Sequence, residues 1–114
     1  MKKFTDSNYV VGNDVNIAEA MRAITLNHRG TVVVVDSQNH VVGVVSDGDI
    51  RRAIVQGVII EAPISKCINI NFVSLPEGIS KKDSDDLLDK NRHINLVPVV
   101  DQNNKLVDLV VRID

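Results

Sequence analysis

Aromatic residues are scarce in this 114-residue chain: they make up 3% of the sequence, and tryptophan is absent. Proteins that bind single-stranded nucleic acid stack the bases on aromatic side chains, so this composition argues against that class. The formal net charge of −2 argues in the same way against a protein that binds a phosphate backbone. We therefore expect no nucleic-acid partner.

Cysteine is limited to Cys67, which excludes an internal disulfide framework and fits a reducing, intracellular setting. No apolar stretch reaches the ~20 residues of a membrane helix, and residues 1–8 lack the apolar core of a signal peptide. Low-complexity tracts are absent as well, whereas apolar residues make up 44% of the chain. These features predict a soluble, cytoplasmic protein with a real core and no membrane contact.

An internal repeat is the most informative feature that the sequence does contain. Residues 31–49 and 96–114 align at an offset of 65 without a gap, and eight of the nineteen positions are identical. The identical pairs include Asp36 with Asp101, Asn39 with Asn104, and Asp49 with Asp114. The chain is therefore a duplicated unit.

Each copy contains two β-branched runs joined by a short polar turn, at residues 36–40 and 101–105, and this pattern predicts a hairpin. Two short segments, 9–11 and 71–74, are expected to add one strand to each copy. Pro98 lies inside an apolar run, and its missing N–H predicts an edge strand or a strand that lines a cleft.

A helical pattern precedes each hairpin. Asp14 or Asn16 is expected to cap the first helix, and the second is expected to run from about Ser80 to Arg92. A further short helix is predicted after the first hairpin, from Ile50 onward. The predicted fold class is α+β, with two β-α-β-β-α repeats packed sheet to sheet as a pseudo-twofold module.

The repeat divides the chain into residues 1–60 and residues 61–114. The second copy ends at Asp114, at the point where the first copy begins its closing helix at Ile50. Without that helix an apolar sheet face would be uncovered. We expect the chain to be a fragment of a longer polypeptide; a natural short protein that borrows a helix from a dimer mate is the less favoured alternative.

The stretches LVPVVDQNNKLV (96–107) and GVVSDGDIRRA (43–53) resemble the most recognisable parts of tandem cystathionine-β-synthase (CBS) domains, also called a Bateman module. The resemblance covers essentially the whole chain. The form SDGDIRRAIVQG, followed by EAPISKCININ, is similar to the pair in bacterial sugar-phosphate nucleotidyltransferases and to the pair in arabinose-5-phosphate isomerases. The spacing from Arg52 to Pro63 and the start of the pair at Met1 favour the nucleotidyltransferase type.

This resemblance implies a regulatory module that binds adenosine-containing ligands, such as ATP, ADP or AMP, in the clefts between its two units. It places Asp49 on the ribose hydroxyls and Ser46 near the ribose or the phosphate. Asp114 is the equivalent carboxylate of the second copy. In the family the strand of Pro98 borders the pocket, so its counterpart Val33 is a candidate as well.

The residues themselves leave a second interpretation open for Ser46 and Asp49, because Ser-x-x-Asp before an apolar helix is also a local capping motif. The second copy keeps Asp114 but has Val111 where the first has Ser46, and Asp108 where the first has Gly43. Since a carboxylate repels phosphate, these differences predict an intact first site and a degraded second site.

Two arginines follow at the start of the helix, where the macrodipole already favours anions. Only one can face a given cleft, and we choose Arg52 for the phosphate. Gly48 is expected to allow either a positive φ or the close approach of a ligand. The DGD triplet lacks the further carboxylates of a calcium loop, so no metal is expected.

The sequence offers no nucleophile–base pair, so no catalytic residue and no catalytic cofactor are expected in this chain. The prediction is a regulatory, adenosine-nucleotide-binding CBS pair attached to a larger enzyme, with a homodimer through the CBS modules. The alternatives are a dimerisation scaffold with vestigial clefts, packed through a face that bears Met21, Ile24 and Ile54, or the CBS pair of an arabinose-5-phosphate isomerase.

Overall fold

The computed structural model describes residues 7–112, which form two units that share the order strand, helix, strand, strand, and the first unit continues into a second helix. The first unit comprises β1 (Val10–Gly12), α1 (Ile17–Asn27), β2 (Thr31–Val35), β3 (Val41–Ser46) and α2 (Asp47–Val55). The second comprises β4 (Leu75–Pro76), α3 (Lys81–Lys90), β5 (Leu96–Val100) and β6 (Leu106–Val111). A single 3-10 turn, Ile64–Lys66, lies between them. The predicted α+β fold of two repeated units is confirmed.

Each unit has a three-stranded sheet with the same topology. The first strand is parallel to the second, and the second and third form the predicted antiparallel hairpin. The strand pairing shifts by one residue at equivalent points, between Val34 and Val35 and between Val99 and Val100. The duplication therefore extends to the irregularity in the sheets.

Strand β4 begins later than the sequence analysis predicted, at Leu75 and not within residues 71–74. In the first unit the backbone N–H of Val33 donates to the carbonyl of Tyr9 at 2.8 Å, which extends the pairing of β1. The equivalent residue of the second unit is Pro98, which has no N–H to donate. Pro98 itself lies buried in the central strand β5, so the edge strand, one of the two alternatives predicted for it, is wrong, while a strand that lines a cleft stays a prediction.

The helices begin at side-chain caps that are equivalent in the two units. The side chain of Asn16 accepts the backbone N–H of Glu19 at 2.9 Å, and that of Ser80 accepts the backbone N–H of Asp83 at 3.1 Å. Asn16 is thus the cap of α1, and Asp14 is not. These caps satisfy backbone donors that the helices leave free.

Within residues 7–112 three apolar clusters form the core. The middle one lies between the two sheets and includes Val33, Val35, Leu96 and Leu106, so the units pack sheet to sheet as predicted. The outer clusters fill the space between each sheet and its helices. Burial of such aliphatic side chains contributes roughly 1.5–3 kcal/mol each, which makes the sheet-to-sheet contact the main link between the units.

The segment between the units packs against the first of them, although the repeat assigns it to residues 61–114. Ile64 and Cys67 belong to the apolar cluster of α1 and α2. Farther along, Asn69 exchanges two backbone hydrogen bonds with Val44 of β3, at 3.1 and 2.8 Å. Burial raises the pKa of the Cys67 thiol, with a smaller contribution from the charge of Asp49.

The two hairpin turns are joined to each other by asparagines in equivalent positions. Asn39 and Asn104 both have a positive φ, of 68° and 64°, a conformation that asparagine tolerates better than most residues. The amide of Asn39 donates to the carbonyl of Leu106 at 2.9 Å, and the amide of Asn104 donates to that of Val41 at 2.9 Å. The pseudo-twofold axis therefore passes between the turns.

Each turn also has an aspartate whose pKa lies below its ordinary value of 3.8. The backbone N–H of His40 is the main cause at Asp36, and that of Lys105 is the main cause at Asp101. A lowered pKa means that the ionised carboxylate stabilises the fold above about pH 4, and that this contribution is lost as pH falls below 3.8 through the folded pKa.

We therefore expect a variant with Asp36→Asn and Asp101→Asn to be less stable than the parent at pH 7, and we expect this difference to become smaller as the pH falls to 3. Urea unfolding at the two pH values measures the difference in the free energy of unfolding. An Asp89→Asn variant on the exposed face of α3 is the control. A difference between parent and double variant that stays constant from pH 7 to pH 3 would contradict this assignment.

Candidate ligand-binding site

The predicted site residues meet where β3 passes into α2. Ser46 is the last residue of β3 and the cap of α2. Its hydroxyl accepts the backbone N–H of Asp49 at 3.2 Å and donates to Asp49 Oδ2 at 2.9 Å, while its own backbone N–H donates to the same Oδ2 at 2.9 Å. The local capping motif that the sequence left open is therefore formed.

Arg52 completes this cluster from the next turn of α2. Its Nη2 donates to Asp49 Oδ1 at 2.7 Å. The Arg52 side chain is 70% exposed, whereas that of Asp49 is only 16% exposed. Both carboxylate oxygens of Asp49 are thus engaged within the chain, and the guanidinium covers the outer one.

Gly48 lies beneath the Arg52 guanidinium. It is within α2, and it is not among the glycines with a positive φ, so that part of its predicted role was wrong. A Cβ at this position would lie 3.2 Å from Arg52 Nη1 and 3.7 Å from the Ser46 hydroxyl. Because glycine has no side chain, α2 leaves room at Gly48 for the Arg52 guanidinium.

The loop before β2 lies against the start of α2. The backbone N–H of Asp47 donates to the carbonyl of Gly30 at 2.9 Å, and Thr31 pairs with Ser46 across the sheet. Asn95 of the second unit donates to the carbonyl of Arg29 at 3.1 Å. Within residues 7–112, Arg29 Nε is buried and has no hydrogen-bond partner. Neither Arg29 nor Asn95 was predicted from the sequence, in which the only signal was the alignment of Asn95 with Gly30.

Two predicted residues lie apart from this cluster. The Val33 side chain is fully buried in the middle apolar cluster, and Asp114 lies outside the described residues. A concavity of about 670 Å³ lies at the turn of the second unit, where Glu77 and Asp101 line it. Two carboxylates make it a poor site for an anion, because like charges repel.

Over residues 7–112 no group of three or more His, Cys, Asp or Glu side chains is arranged to hold a metal ion. In the same range no helix has the length and apolar character to cross a membrane.

Comparison with known proteins identifies the family. The model of the CBS domain matches residues 2–56, which contain the Ser46–Asp49–Arg52 cluster. The first unit of this chain is therefore a CBS domain.

The CBS pair is also similar to known full-length proteins and solved structures. It is 36% identical over 95 residues to the arabinose 5-phosphate isomerase GutQ of Salmonella typhi, which corresponds to 83% of this chain and 29% of that protein. The chain thus spans less than a third of the isomerase. Many solved structures match the fold. Among them, CBSX2 in complex with AMP has a TM-score of 0.77 at 20% identity, with 98% of this chain and 86% of that one covered. The CBS domain protein PAE2072 from Pyrobaculum aerophilum, complexed with AMP, has a TM-score of 0.72 at 21% identity, with 97% and 82% covered.

In the second unit, the residue equivalent to Asp47 of the first unit has another role. Arg112 stands where the first unit has Asp47, and its guanidinium donates to the carbonyls of Leu88, Asn91 and Ile94 at 2.8 to 3.0 Å. Since these carbonyls lie at and just beyond the C-terminus of α3, the arginine caps that helix. The Arg112 guanidinium is therefore engaged with backbone carbonyls at this helix end.

From the sequence, the difference between Gly43 and Asp108 was explained by repulsion between a carboxylate and the ligand phosphate. The structure shows a steric cause for the glycine. A Cβ at Gly43 would lie 2.7 Å from the carbonyl oxygen of Asn69 and in contact with the side chain of Ile68. Glycine is therefore required because the segment between the units crosses β3 here. Asp108, the equivalent residue of β6, is exposed.

Proposed function

We propose that this CBS pair is a regulatory module that binds one adenosine 5′-phosphate at the junction of β3 and α2. The observation that carries this proposal is the convergence of the Ser46 hydroxyl, the Asp49 carboxylate and the Arg52 guanidinium at the start of α2. The CBS domain of the first unit and the AMP complexes of two proteins with the same fold support it.

The chemistry of the cluster suits such a ligand. A carboxylate accepts hydrogen bonds from the two adjacent hydroxyls of a ribose, and these charge-assisted bonds are stronger than neutral ones. The start of α2 and the Arg52 guanidinium favour a phosphate. In this proposal Ser46 holds Asp49 in place and offers its hydroxyl to the ligand.

The module acts without chemistry of its own, on a catalytic domain attached in the longer native chain. To regulate that domain, the ligand must bind one relative pose of the two units more tightly than another. The similarity to the isomerase GutQ supports an arabinose-5-phosphate isomerase as the attached enzyme. A nucleotidyltransferase was preferred from the sequence, and only the spacing from Arg52 to Pro63 and the start of the pair at Met1 support it. A cytoplasmic location remains a prediction from the composition.

We expect AMP to raise the melting temperature of the protein, because a ligand that binds only the folded state stabilises it by about 2.7 kcal/mol at 100 times its Kd. Thermal unfolding with AMP, ADP and ATP, and with inorganic phosphate as the control, measures this. The absence of any shift with all three nucleotides would overturn the proposal, and a shift with phosphate alone would reduce it to anion binding.

The second candidate function is a dimerisation scaffold. In that case the pair forms a homodimer and neither of its clefts binds a ligand. Apolar side chains are exposed around α2 and the loop that follows it: Val55 is 81% exposed, Ile59 64% and Ile54 43%. On α1, Met21 is 37% exposed, but Ile24 is buried and does not belong to such a face. A scaffold of this kind shows no nucleotide-dependent shift, so the same experiment separates the two functions.

A further inference from the structure

We infer that Arg52 is a latch on the ligand site that makes the module select phosphorylated adenosine compounds over adenosine itself. This inference rests on the proposed function. It is carried by the hydrogen bonds of Asp49, which decide how many further donors its carboxylate accepts.

A carboxylate offers about four acceptor positions. In Asp49 the two positions of Oδ2 are filled by the N–H and the hydroxyl of Ser46, and one position of Oδ1 is filled by Arg52. One position is left, whereas the two hydroxyls of a ribose need two. A diol therefore binds Asp49 with both hydroxyls only after one of the present donors leaves.

Arg52 is the donor that leaves most easily. The bonds to Ser46 belong to the cap of α2 and hold the helix start together. The Arg52 side chain, in contrast, is 70% exposed and reaches Asp49 through a single bond at 2.7 Å. Exposed ion pairs of this kind are worth about two- to fivefold in an equilibrium constant.

The released guanidinium needs a new partner, and this requirement gives the selectivity. A phosphate accepts two parallel hydrogen bonds from a guanidinium and compensates for the lost pair with Asp49. Adenosine has no such group, so its binding includes the cost of opening the latch. Arg52 thus opposes the nucleoside and favours the nucleotide.

Gly48 offers an independent means of opening the latch. An alanine there would place its Cβ 3.2 Å from Arg52 Nη1, so the flexible guanidinium must shift by a few tenths of an ångström, and this shift perturbs the bond of its Nη2 to Asp49. The same change favours the helix, since alanine has a higher helix propensity than glycine. We therefore use Gly48→Ala to loosen the latch without removing the cation.

The test is a calorimetric comparison of AMP and adenosine on the parent chain, Arg52→Gln, Gly48→Ala and Arg51→Gln. In Arg52→Gln we expect adenosine to bind about two- to fivefold more tightly and AMP about tenfold or more weakly. In Gly48→Ala adenosine also binds more tightly, while AMP keeps its affinity within about threefold. Arg51→Gln is the matched control, because Arg51 is exposed and forms none of the ion pairs found within residues 7–112.

The outcomes separate the latch from the proposed function. If AMP binds the parent but Arg52→Gln leaves adenosine unchanged, Arg52 is only a phosphate ligand and the latch is overturned. Equal weakening of both compounds shows a structural role and overturns it as well. If AMP does not bind the parent chain, the proposed function fails and the latch fails with it.

Discussion

The Asp49→Ala variant is expected to bind AMP about 100-fold or more weakly than the parent, because it loses two charge-assisted hydrogen bonds worth roughly 1.5–3 kcal/mol each. Asp49 is the only residue of the cluster that accepts hydrogen bonds through a charged group, and its carboxylate is held in place by Ser46. Isothermal titration with AMP measures the loss.

Two further variants keep this result interpretable. Asp49→Ala also removes a bond to the Ser46 N–H within the cap of α2, so its melting temperature without ligand must be measured as well; loss of a cap costs about 1 kcal/mol. Asp83→Ala removes a carboxylate from the same position of α3 and is expected to leave AMP binding unchanged. Parent-like affinity in a folded Asp49→Ala variant would exclude Asp49 from the site.

The Gly43→Val variant is expected to lower the free energy of unfolding by about 3 kcal/mol, at the upper end of what overpacking costs. Valine would press on the backbone of Asn69, which cannot move without breaking its two hydrogen bonds to Val44. For a chain of this size the change corresponds to a fall in melting temperature on the order of 10 °C. Urea and thermal unfolding both measure it.

The duplicated unit supplies the matched control for this variant. Asp108 occupies the equivalent position of β6 and is exposed, so Asp108→Ala is expected to change stability by less than about 0.5 kcal/mol. Gly43→Ala is expected to fall between the two. If Gly43→Val unfolds at the parent's temperature, the segment between the units does not need the contact with β3.

The repeat made most of this fold predictable. Two hairpins with the same turn residues, an offset that preserves the apolar pattern, and polar caps before each helix point to the same answer. Residue type limited the cap of α1 to Asp14 or Asn16 and placed the start of α3 near Ser80, but it did not decide between Asp14 and Asn16. The position of β4 did not, because it depends on a hydrogen bond that Val33 makes and Pro98 lacks.

The sequence was sufficient to predict which residues form the candidate site, but not how their side chains are oriented. Ser46, Gly48, Asp49 and Arg52 are close in sequence and share one helix start, so their proximity follows from helix geometry. Whether Arg52 turns toward Asp49 or toward an open cleft is a choice of rotamer, which a sequence pattern does not encode. The contacts of Arg29 with Asn95 and of Gly43 with Asn69 join distant parts of the chain and gave no local signal.

The central claim is that the pair has one working nucleotide site, in its first unit. The most direct measurement is the stoichiometry of AMP binding by isothermal titration of the parent chain. We expect one AMP per chain. Two equivalents per chain, or none at millimolar AMP, would contradict it.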